Sequence, residues 1–295
     1  MKNQTKAYIY GGITVLLWST VASAFKLGLK NYSVEQLLLF SSLSSLISIF
    51  IILAFQGKIQ LLVNQGIRDL CKSAFLGFIN PFAYYLILFK AYELLPAQEA
   101  QPLNFTWPLV LTILSVFILK QKIRIMSIAG ILISFAGVII ISTRGDIFSL
   151  NFKNPFGAFL AVGSSIFWAV FWIFNIKDER DPIVKLFLNF LFGSLFLFVL
   201  NLVRGFQGVG NPYMLIYPIY IGLIEMGITF YFWLKALSLS SKSSSIANLI
   251  YVTPFASLIV ISFVLNEKIL ISSVAGLVFI ISGILLNAYV DRKTR

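Results

Sequence analysis

The sequence predicts an all-α integral membrane protein with ten transmembrane helices, arranged as two inverted five-helix repeats. The first observation behind this fold class is composition, because 59% of the 295 residues are hydrophobic and only 12% are charged, unlike a soluble domain. The second is the recurrence of apolar runs long enough for a helix to cross about 30 Å of hydrocarbon. The third is an internal repeat with an offset of about 146 residues.

Ten long apolar runs define the expected helices in order. They do not alternate apolar and polar residues as barrel strands would, so helices are expected to satisfy the backbone in lipid. The first run follows Lys2 and Lys6 without a small-residue cleavage pattern, which favours a helix over a secretory signal. The eighth run stops at Glu225 and resumes over 226–234. The runs are 7–25, 36–57, 73–89, 100–119, 125–143, 154–176, 186–203, 205–224, 243–266 and 269–290.

The basic residues predict the orientation in the membrane. The net charge of +12 is scattered over short loops and forms no stripe of the kind that binds nucleic acid, so no nucleic-acid partner is expected. With a cytoplasmic amino terminus, sixteen of the 23 basic residues fall on the cytoplasmic side and seven on the opposite side. Both termini are therefore expected in the cytoplasm, in a multi-pass protein of a cell membrane, with a bacterial plasma (inner) membrane as the favoured location.

The rarest residue types exclude several kinds of chemistry. Cys71 is the only cysteine and histidine is absent, which rules out disulfides within the chain, Cys/His zinc sites and histidine acid–base catalysis. No GxxxxGK[ST] motif is present, so ATP hydrolysis by this chain is not expected. We expect a non-enzyme without metal or cofactor, acting as a monomer or weak homodimer, whose function resides inside the helix bundle.

The internal repeat divides the chain into residues 7–143 and 154–290. A shift of 146 residues aligns Pro108 with Pro254, Lys122 with Lys268, Gly130 with Gly276 and Gly137 with Gly283, and a shift of 145 aligns Lys90 with Lys235. Because five is an odd number of helices, the second repeat enters the membrane from the opposite side. Such inverted repeats are concentrated in transporters that work by alternating access. A duplication that only built a stable bundle remains the alternative.

The stretch LNFTWP at 103–108 interrupts an apolar run with polar and helix-breaking residues. A proline removes a backbone donor, which a membrane helix tolerates where a cavity, water or a neighbouring helix repairs the loss. The matching stretch in the second repeat reads LIYVTPF. We therefore expect Pro102, Pro108 and Pro254 to break their helices beside a cavity.

Aromatic and amide side chains at mid-depth in the spans are the expected substrate contacts. Such rings differ from the interfacial belts of membrane proteins, and they can stack a planar substrate or hold a cationic amine. Packing remains the alternative, with the asparagines as glue between helices. The expected contacts are Trp18, Asn80, Tyr84, Tyr85, Asn104, Phe105, Trp107, Trp168, Trp172, Asn248 and Tyr251.

Glu225 is an acid about ten residues from either end of its span, in GLIEMGITFYFW. A charge at this depth costs several kcal/mol unless it is paired or hydrated, so such an acid is a functional candidate by default. Proton coupling and direct binding of a substrate ammonium are the two expected roles. A structural acid that is hydrogen-bonded across helices is the alternative. Three further charges, Lys90, Glu93 and Glu99, cluster near the outer ends of spans three and four. They could form a gate, or they could be solvated surface charges in which Glu93 or Glu99 pairs with Lys90.

The segments AYELLPAQEAQPLNFTWPLVLTILS and ALSLSSKSSSIANLIYVTPFASLIVISFVLNEKI resemble the EamA module of the drug/metabolite transporter superfamily. In that family a proline-bearing helix, a charged turn and a glycine-containing helix end each module, as do Pro254, Glu267 and Gly276 here. The first module departs from the pattern with Gln121 where the second has Glu267. The stretches LLWST and NFTWP, with Glu99, are similar to the branch that exports aromatic and other neutral amino acids.

This resemblance implies a secondary transporter that exports small amphipathic metabolites, with neutral or aromatic amino acids as the favoured substrates. Its partners would be a small-molecule substrate, the lipid bilayer and, as a candidate coupling ion, the proton. Export of other metabolites or of cationic drugs is the alternative within the superfamily. A membrane-embedded lipid-modifying enzyme is disfavoured because no acid pair or histidine lies within a span. A channel is disfavoured because no filter-like sequence is present.

Overall fold

A computed structural model of the chain describes residues 2–118, 125–148, 153–206, 208, 211–240 and 248–292, which form helices and turns without a strand among them. Six helices are long and apolar enough to cross a membrane, and shorter apolar helices accompany them. The all-helical membrane fold is thus confirmed, whereas the count of ten spans and the side of the termini remain predictions. The helices are α1 Lys2–Leu29, α2 Val34–Phe55, α3 Ile67–Leu94, α4 Ala97–Asn104, α5 Trp107–Ile118, α6 Ile125–Ser142, α7 Pro155–Ile176, α8 Pro182–Arg204, α9 Pro212–Ala236, α10 Thr253–Leu265 and α11 Ile271–Arg292, with single turns at Gln60–Val63 and Asn248–Val252.

The outside of the bundle is apolar and its helix contacts are partly polar, which is the reverse of a water-soluble protein. Leu16 and Phe159 are 67% and 71% exposed, which suits hydrocarbon and would be unfavourable in water. Small residues such as Ser42, Ser45 and Ser48 are buried on α2, where they allow neighbouring helices to approach closely. This distribution is typical of a protein whose solvent is lipid.

The two halves of the chain interlock because the first helix of each packs on helices from the middle of the other. Helix α1 packs along α9 and α10, while α7 packs along α3, α4 and α5. Helices α6 and α11 pack against each other at the end of the two halves. Any space between the halves is therefore walled by both.

Glycines on α6 and α11 make reciprocal contacts. A Cβ added at Gly137 would lie 2.5 Å from the Gly276 carbonyl oxygen, and Gly283 abuts the Gly130 carbonyl. In the sequence alignment Gly137 corresponds to Gly283 and Gly130 to Gly276, so each contact repeats the other with the halves exchanged. Reciprocity of this kind is expected of two units related by a twofold axis. It supports the predicted repeat.

Helices α3 and α9 are each broken by a π-helical segment at equivalent positions, Phe78–Ala83 and Ile221–Ile228. In the first break Asn80 has an extended backbone, with φ −149° and ψ 119°, and precedes Pro81. The shift of 145 residues that aligns Lys90 with Lys235 also aligns Asn80 with Glu225. The two breaks thus carry an amide in one half and an acid in the other.

A glycine three residues before Asn80 and another three residues before Glu225 let the two helices touch a neighbour. Gly77 leaves no room for a Cβ against the Asn189 carbonyl on α8, and Gly222 leaves none against the Ser41 carbonyl on α2. A backbone nitrogen, that of Gly193 or Ser45, also lies 2.9 Å from the position of each added Cβ. Because α8 and α2 occupy matching places in the two halves, this packing is also repeated.

Candidate functional site

A cavity of about 340 Å³ lies between the two halves, in the size range of pockets for small molecules. Helices α1, α3, α4 and α5 wall it from the first half, and α7, α8, α9, α10 and the turn before α10 from the second. The residues expected from the sequence that line it are Trp18, Tyr84, Asn104, Phe105, Trp107, Trp168, Trp172 and Glu225.

The stretch LNFTWP forms the junction of α4 and α5. Helix α4 ends at Asn104, because Pro108, four residues later, has no N–H to donate to the Asn104 carbonyl oxygen. Residues 105 and 106 turn the chain, and α5 starts at Trp107, so Asn104 and Trp107 both face the cavity. Pro254 likewise lies in the first turn of α10, after the turn Asn248–Val252.

Pro102 departs from the expectation that it breaks its helix. It lies inside α4, which continues past it to Asn104. Pro102 removes one amide donor near the end of a short helix, so the remaining hydrogen bonds still hold the turn. The break in this run belongs to Pro108.

Asn104 both lines the cavity and ties its walls together. Its Oδ1 accepts a hydrogen bond from the Tyr84 hydroxyl at 3.3 Å, and its Nδ2 donates to Ser164 Oγ at 2.8 Å. These bonds join α4 to α3 and α7. The Asn104 side chain therefore both connects three helices by hydrogen bonds and lines the cavity.

Aromatic rings form a continuous wall on the side of α7 and α9. The Trp168 ring lies 4.8 Å from that of Tyr84 and 5.7 Å from that of Phe230, measured between centroids. Trp172 stacks on Phe230 with an interplanar angle of 9°. Since each ring is braced by another, the wall presents preformed π surface to a ligand.

Glu225 lies in the π-helical break of α9 and lines the cavity, with 7% of its surface exposed. Its Oε1 accepts a hydrogen bond from the Tyr85 hydroxyl at 3.0 Å, and its backbone oxygen accepts one from Trp18 Nε1 at 3.3 Å. Within the described ranges, no basic side chain forms an ion pair with the carboxylate and Oε2 has no hydrogen-bond partner.

Three of the expected contact residues that the structure describes, Asn80, Tyr85 and Tyr251, do not line the cavity. Tyr85 is fully buried behind Glu225, and Asn80 is fully buried in the break of α3. Tyr251 is half-buried in the turn before α10, and the side chain of Asn248 lies outside the described part of the structure.

Several wall residues were missed by the sequence reasoning. Gln101, Trp233 and Thr253 line the cavity, and two of them had a usable signal, since Trp233 follows Glu225 by eight residues and Thr253 directly precedes Pro254. Lys185 borders the apolar run 186–203 and is one of the sixteen basic residues expected on the cytoplasmic side. It is buried in the wall, and its Nζ donates to the carbonyl oxygens of Asn175 and Asp178 at 2.8 and 2.7 Å.

Ion pairs stand at both ends of α7. Beyond its last residue Asp178 accepts hydrogen bonds from Arg180, and Lys72 lies 3.4 Å away. Burial alone would raise the pKa of Asp178, but the hydrogen bonds and charges of these two residues outweigh it and lower the pKa to about 2. At the other end Arg144 pairs with Glu99 at 2.7 Å, so Lys90 pairs with Glu93 and not with Glu99.

Comparison with known proteins places the architecture in a family. The sequence profile described as the EamA-like transporter family matches twice, at residues 5–143 and 155–289. An uncharacterized transporter of Archaeoglobus fulgidus is 25% identical over 96% of this chain and 97% of its own length. A crystal structure shares the fold, with a TM-score of 0.69 and 20% identity over 98% of each chain.

Two shorter matches concern proteins of bacterial and archaeal origin. An uncharacterized transporter of Acidianus ambivalens is 32% identical over 57% of this chain and 66% of its own length. An aromatic amino acid exporter of Ancylobacter novellus is 26% identical over 52% of this chain and 53% of its own length. Together with the apolar helices, these matches identify a multi-pass membrane protein of a transporter family.

Proposed function

The chain belongs to the EamA-like transporter family, and from that premise we propose that it exports small amphipathic metabolites, with neutral or aromatic amino acids as the substrates. The observation that carries this proposal is the cavity between the interlocked halves, walled by Trp and Tyr rings and containing one acid, Glu225. Its volume of about 340 Å³ suits a ligand of amino-acid size. The likeness to an aromatic amino acid exporter over half of the chain supports the same substrate class.

Alternating access is the proposed mechanism, with 7–143 and 154–290 as inverted repeats. The reciprocal glycine contacts between α6 and α11 support it, because two copies of one packing arrangement can exchange conformations and open the cavity to each side in turn. Glu225 supplies the titratable group for proton-driven export or the anion for a substrate ammonium. The proposed setting is the plasma membrane of a bacterium, with both termini in the cytoplasm.

Export of cationic drugs is the second candidate, because aromatic faces beside a carboxylate also attract quaternary ammonium groups. The same cavity would serve both functions. Its aromatic wall and Glu225 favour a ligand that combines a ring with a positive charge. Neither sugars nor nucleotides combine an aromatic ring with a positive charge, which makes both of them poor substrates for this site.

Transport into inverted membrane vesicles tests the proposal. Trp107→Ala and Trp168→Ala each remove a ring from the wall, and we expect initial uptake of labelled phenylalanine to fall about tenfold, as for loss of an aromatic contact. Phe159→Ala on the lipid-facing side of α7 is the matched control and should retain uptake. Expression and monodispersity must be equal in all variants.

Normal uptake by both tryptophan variants would contradict the proposal and return these rings to a packing role. A thermal-shift screen of the purified protein against amino acids, sugars, nucleotides and cationic drugs would then identify the ligand class directly. Stabilisation by amino acids alone supports the first candidate, and stabilisation by drugs alone supports the second.

A further inference from the structure

Three polar atoms of cavity-lining residues have no hydrogen-bond partner in the part of the chain that the structure describes. They are Glu225 Oε2, Thr253 Oγ1 and Trp168 Nε1, on residues that are 7%, 3% and 7% exposed. A buried polar atom without a partner costs free energy, and a ligand in the cavity can remove that cost. The three atoms therefore describe the polar part of the ligand.

Two of these atoms, Glu225 Oε2 and Trp168 Nε1, belong to residues that a pair of tyrosines connects. Tyr85 donates to Glu225 Oε1 at 3.0 Å, and the Tyr84 ring lies 4.6 Å from that of Tyr85 and 4.8 Å from that of Trp168. The tyrosine pair thus links the acid to the indole. By occupying Oε1, the Tyr85 hydroxyl leaves Oε2 for the ligand, which makes Tyr85 a positioning residue.

We propose that this site selects ligands that carry an N–H-bearing ammonium next to a hydrogen-bond acceptor, an inference that rests on the proposed export function and narrows its substrate class. The ammonium donates to Glu225 Oε2, and the acceptor receives the Trp168 N–H. An α-amino acid has both groups on adjacent carbons. A quaternary ammonium has no N–H donor, so it leaves Glu225 Oε2 without a hydrogen bond and is disfavoured.

Calorimetric binding of four ligands that share one aromatic ring tests the inference on purified protein. They are L-phenylalanine with both groups, phenethylamine with the ammonium alone, 3-phenylpropionate with the acceptor alone, and a trimethylated phenethylammonium. Phenylalanine should bind tightest, phenethylamine next, and the other two at least tenfold more weakly. Glu225→Gln should weaken phenylalanine and phenethylamine at least tenfold and leave 3-phenylpropionate unchanged. Glu93→Gln, an exposed acid outside the cavity, is the matched control.

Equal binding of the quaternary ligand, or unchanged phenylalanine affinity in Glu225→Gln, would overturn the selectivity while leaving amino-acid export intact. Failure of all four ligands to bind would overturn the selectivity together with the proposed substrate class. Tyr85→Phe provides a second test, because a purely structural role of Tyr85 would not change the affinity for ammonium ligands selectively. It should weaken the two ammonium ligands and spare 3-phenylpropionate.

An independent set of contacts closes the cavity at the Arg144 end. The Glu267 carboxylate, from the connection between α10 and α11, accepts hydrogen bonds from the backbone nitrogens of Ala97 and Gln98 at 3.1 and 3.3 Å. It thereby caps the first turn of α4 in the opposite half of the chain. The Gln98 side chain donates to the Lys268 oxygen and accepts from the Leu270 nitrogen at 2.9 and 2.8 Å.

This cap lies one helical turn beyond Gln101, which lines the cavity. Gln98, Glu99 and Gln101 are all buried, so the polar layer seals this end. Lys26 reinforces it by donating to the carbonyl oxygens of Tyr92 and Leu95 at 2.7 and 2.9 Å. The bonds that Glu267 and Gln98 make join the two halves and must break for this end to open.

We infer that Glu267 is a latch that holds this end of the cavity shut. Its repeat equivalent in the sequence is Gln121, which lies outside the described residues. The bonds of Glu267 and Gln98 join the two halves, so they stabilise the state that is closed at the Arg144 end.

Cysteine labelling tests the latch. A reporter Gln101→Cys in a Cys71→Ser background is treated with a membrane-impermeant maleimide in intact cells and in inside-out vesicles. Glu267→Gln should raise labelling from the Arg144 side at least fivefold and leave labelling from the other side unchanged. Glu93→Gln, which breaks the exposed pair with Lys90 at the same end, should change neither. If the reporter is labelled equally with Glu267 and with Glu267→Gln, and both proteins are monodisperse, the proposal that Glu267 is a latch is wrong.

Discussion

The breaks in α3 and α9 are the same structural device with different chemistry. Both are π-helical, and each has a glycine that touches the backbone of a neighbouring helix, Gly77 against α8 and Gly222 against α2. The first break holds Asn80, fully buried away from the cavity, and the second holds Glu225 in the cavity wall. The packing is the same in the two halves, whereas only one of the two side chains reaches the cavity.

This difference teaches that a repeat constrains backbone contacts more tightly than side-chain chemistry. A helix that touches its neighbour at a glycine cannot accept a Cβ without moving, so the contact persists in both halves. A side chain in a helix break can change from amide to acid without disturbing that contact. The cavity thus acquires its single acid from one half, and its two ends need not be alike.

The largest effect is expected in a test of membrane topology, because each end of the chain is either labelled or not labelled. If the repeats are inverted, the two breaks face opposite sides and both ends of the chain lie in the cytoplasm. Single cysteines placed near either end, in a Cys71→Ser background, should then stay unlabelled by an impermeant reagent added to intact cells. Labelling at one end alone would give an odd number of spans and remove the twofold relation.

Stability should respond equally at the two glycines if their packing is equivalent. Gly77→Ala and Gly222→Ala each push a Cβ into a backbone carbonyl, and we expect each to lower the free energy of unfolding by about 1–3 kcal/mol. Thermal unfolding in detergent measures the effect. Gly163→Ala on α7, with nothing within 4 Å of the added Cβ, is the control and should be neutral or slightly stabilising.

Transport should respond unequally at the two break residues. Glu225→Gln removes the acid from the cavity, and we expect proton-gradient-driven uptake of phenylalanine to fall about tenfold or more, with exchange of substrate for substrate retained if the acid couples protons. Asn80→Ala should change uptake less than about twofold, as for a residue outside the site. If uptake fell as much in Asn80→Ala as in Glu225→Gln, Asn80 would again be a candidate substrate contact, and the two helix breaks would not differ in function.

The smallest expected effect concerns the hydrogen bond that orients Glu225. Tyr85→Phe removes the donor to Oε1 and leaves the ring contacts in place, so substrate affinity should fall about three- to tenfold. Titration calorimetry with phenylalanine measures it. Tyr213→Phe, at an exposed tyrosine near the start of α9, should be silent. A larger loss in Tyr85→Phe than in Glu225→Gln would mean that Tyr85 acts on its own.

Much of the bundle was predictable because hydrocarbon leaves a chain few choices. Long apolar runs must form helices, and an acid such as Glu225 or a proline such as Pro108 must be explained where it interrupts one. The positions of Trp168 and Asn104 in the wall were also predicted from their mid-span placement. Pro102 was misjudged because one lost donor near a helix end does not stop the helix.

Residues at the edges of the runs were not predictable from local pattern. Lys185 reads as a loop charge because it borders an apolar run, yet it is buried against the carbonyl oxygens that end α7. Glu267 reads as an ordinary turn acid, and only the approach of α4 from the other half gives it two backbone donors. Both roles depend on partners far away in the sequence.

The sequence by itself determined the class of protein, the end of a helix before Pro108 and the supply of aromatic rings and of Glu225, because these follow from composition and spacing in a lipid solvent. Only the tertiary structure decided which of these residues share a cavity. The reason is the exchange of α1 and α7 between the halves, which brings together side chains such as Trp18 and Glu225 that are 207 positions apart. Helix periodicity specifies a face but not the neighbour that the face will meet.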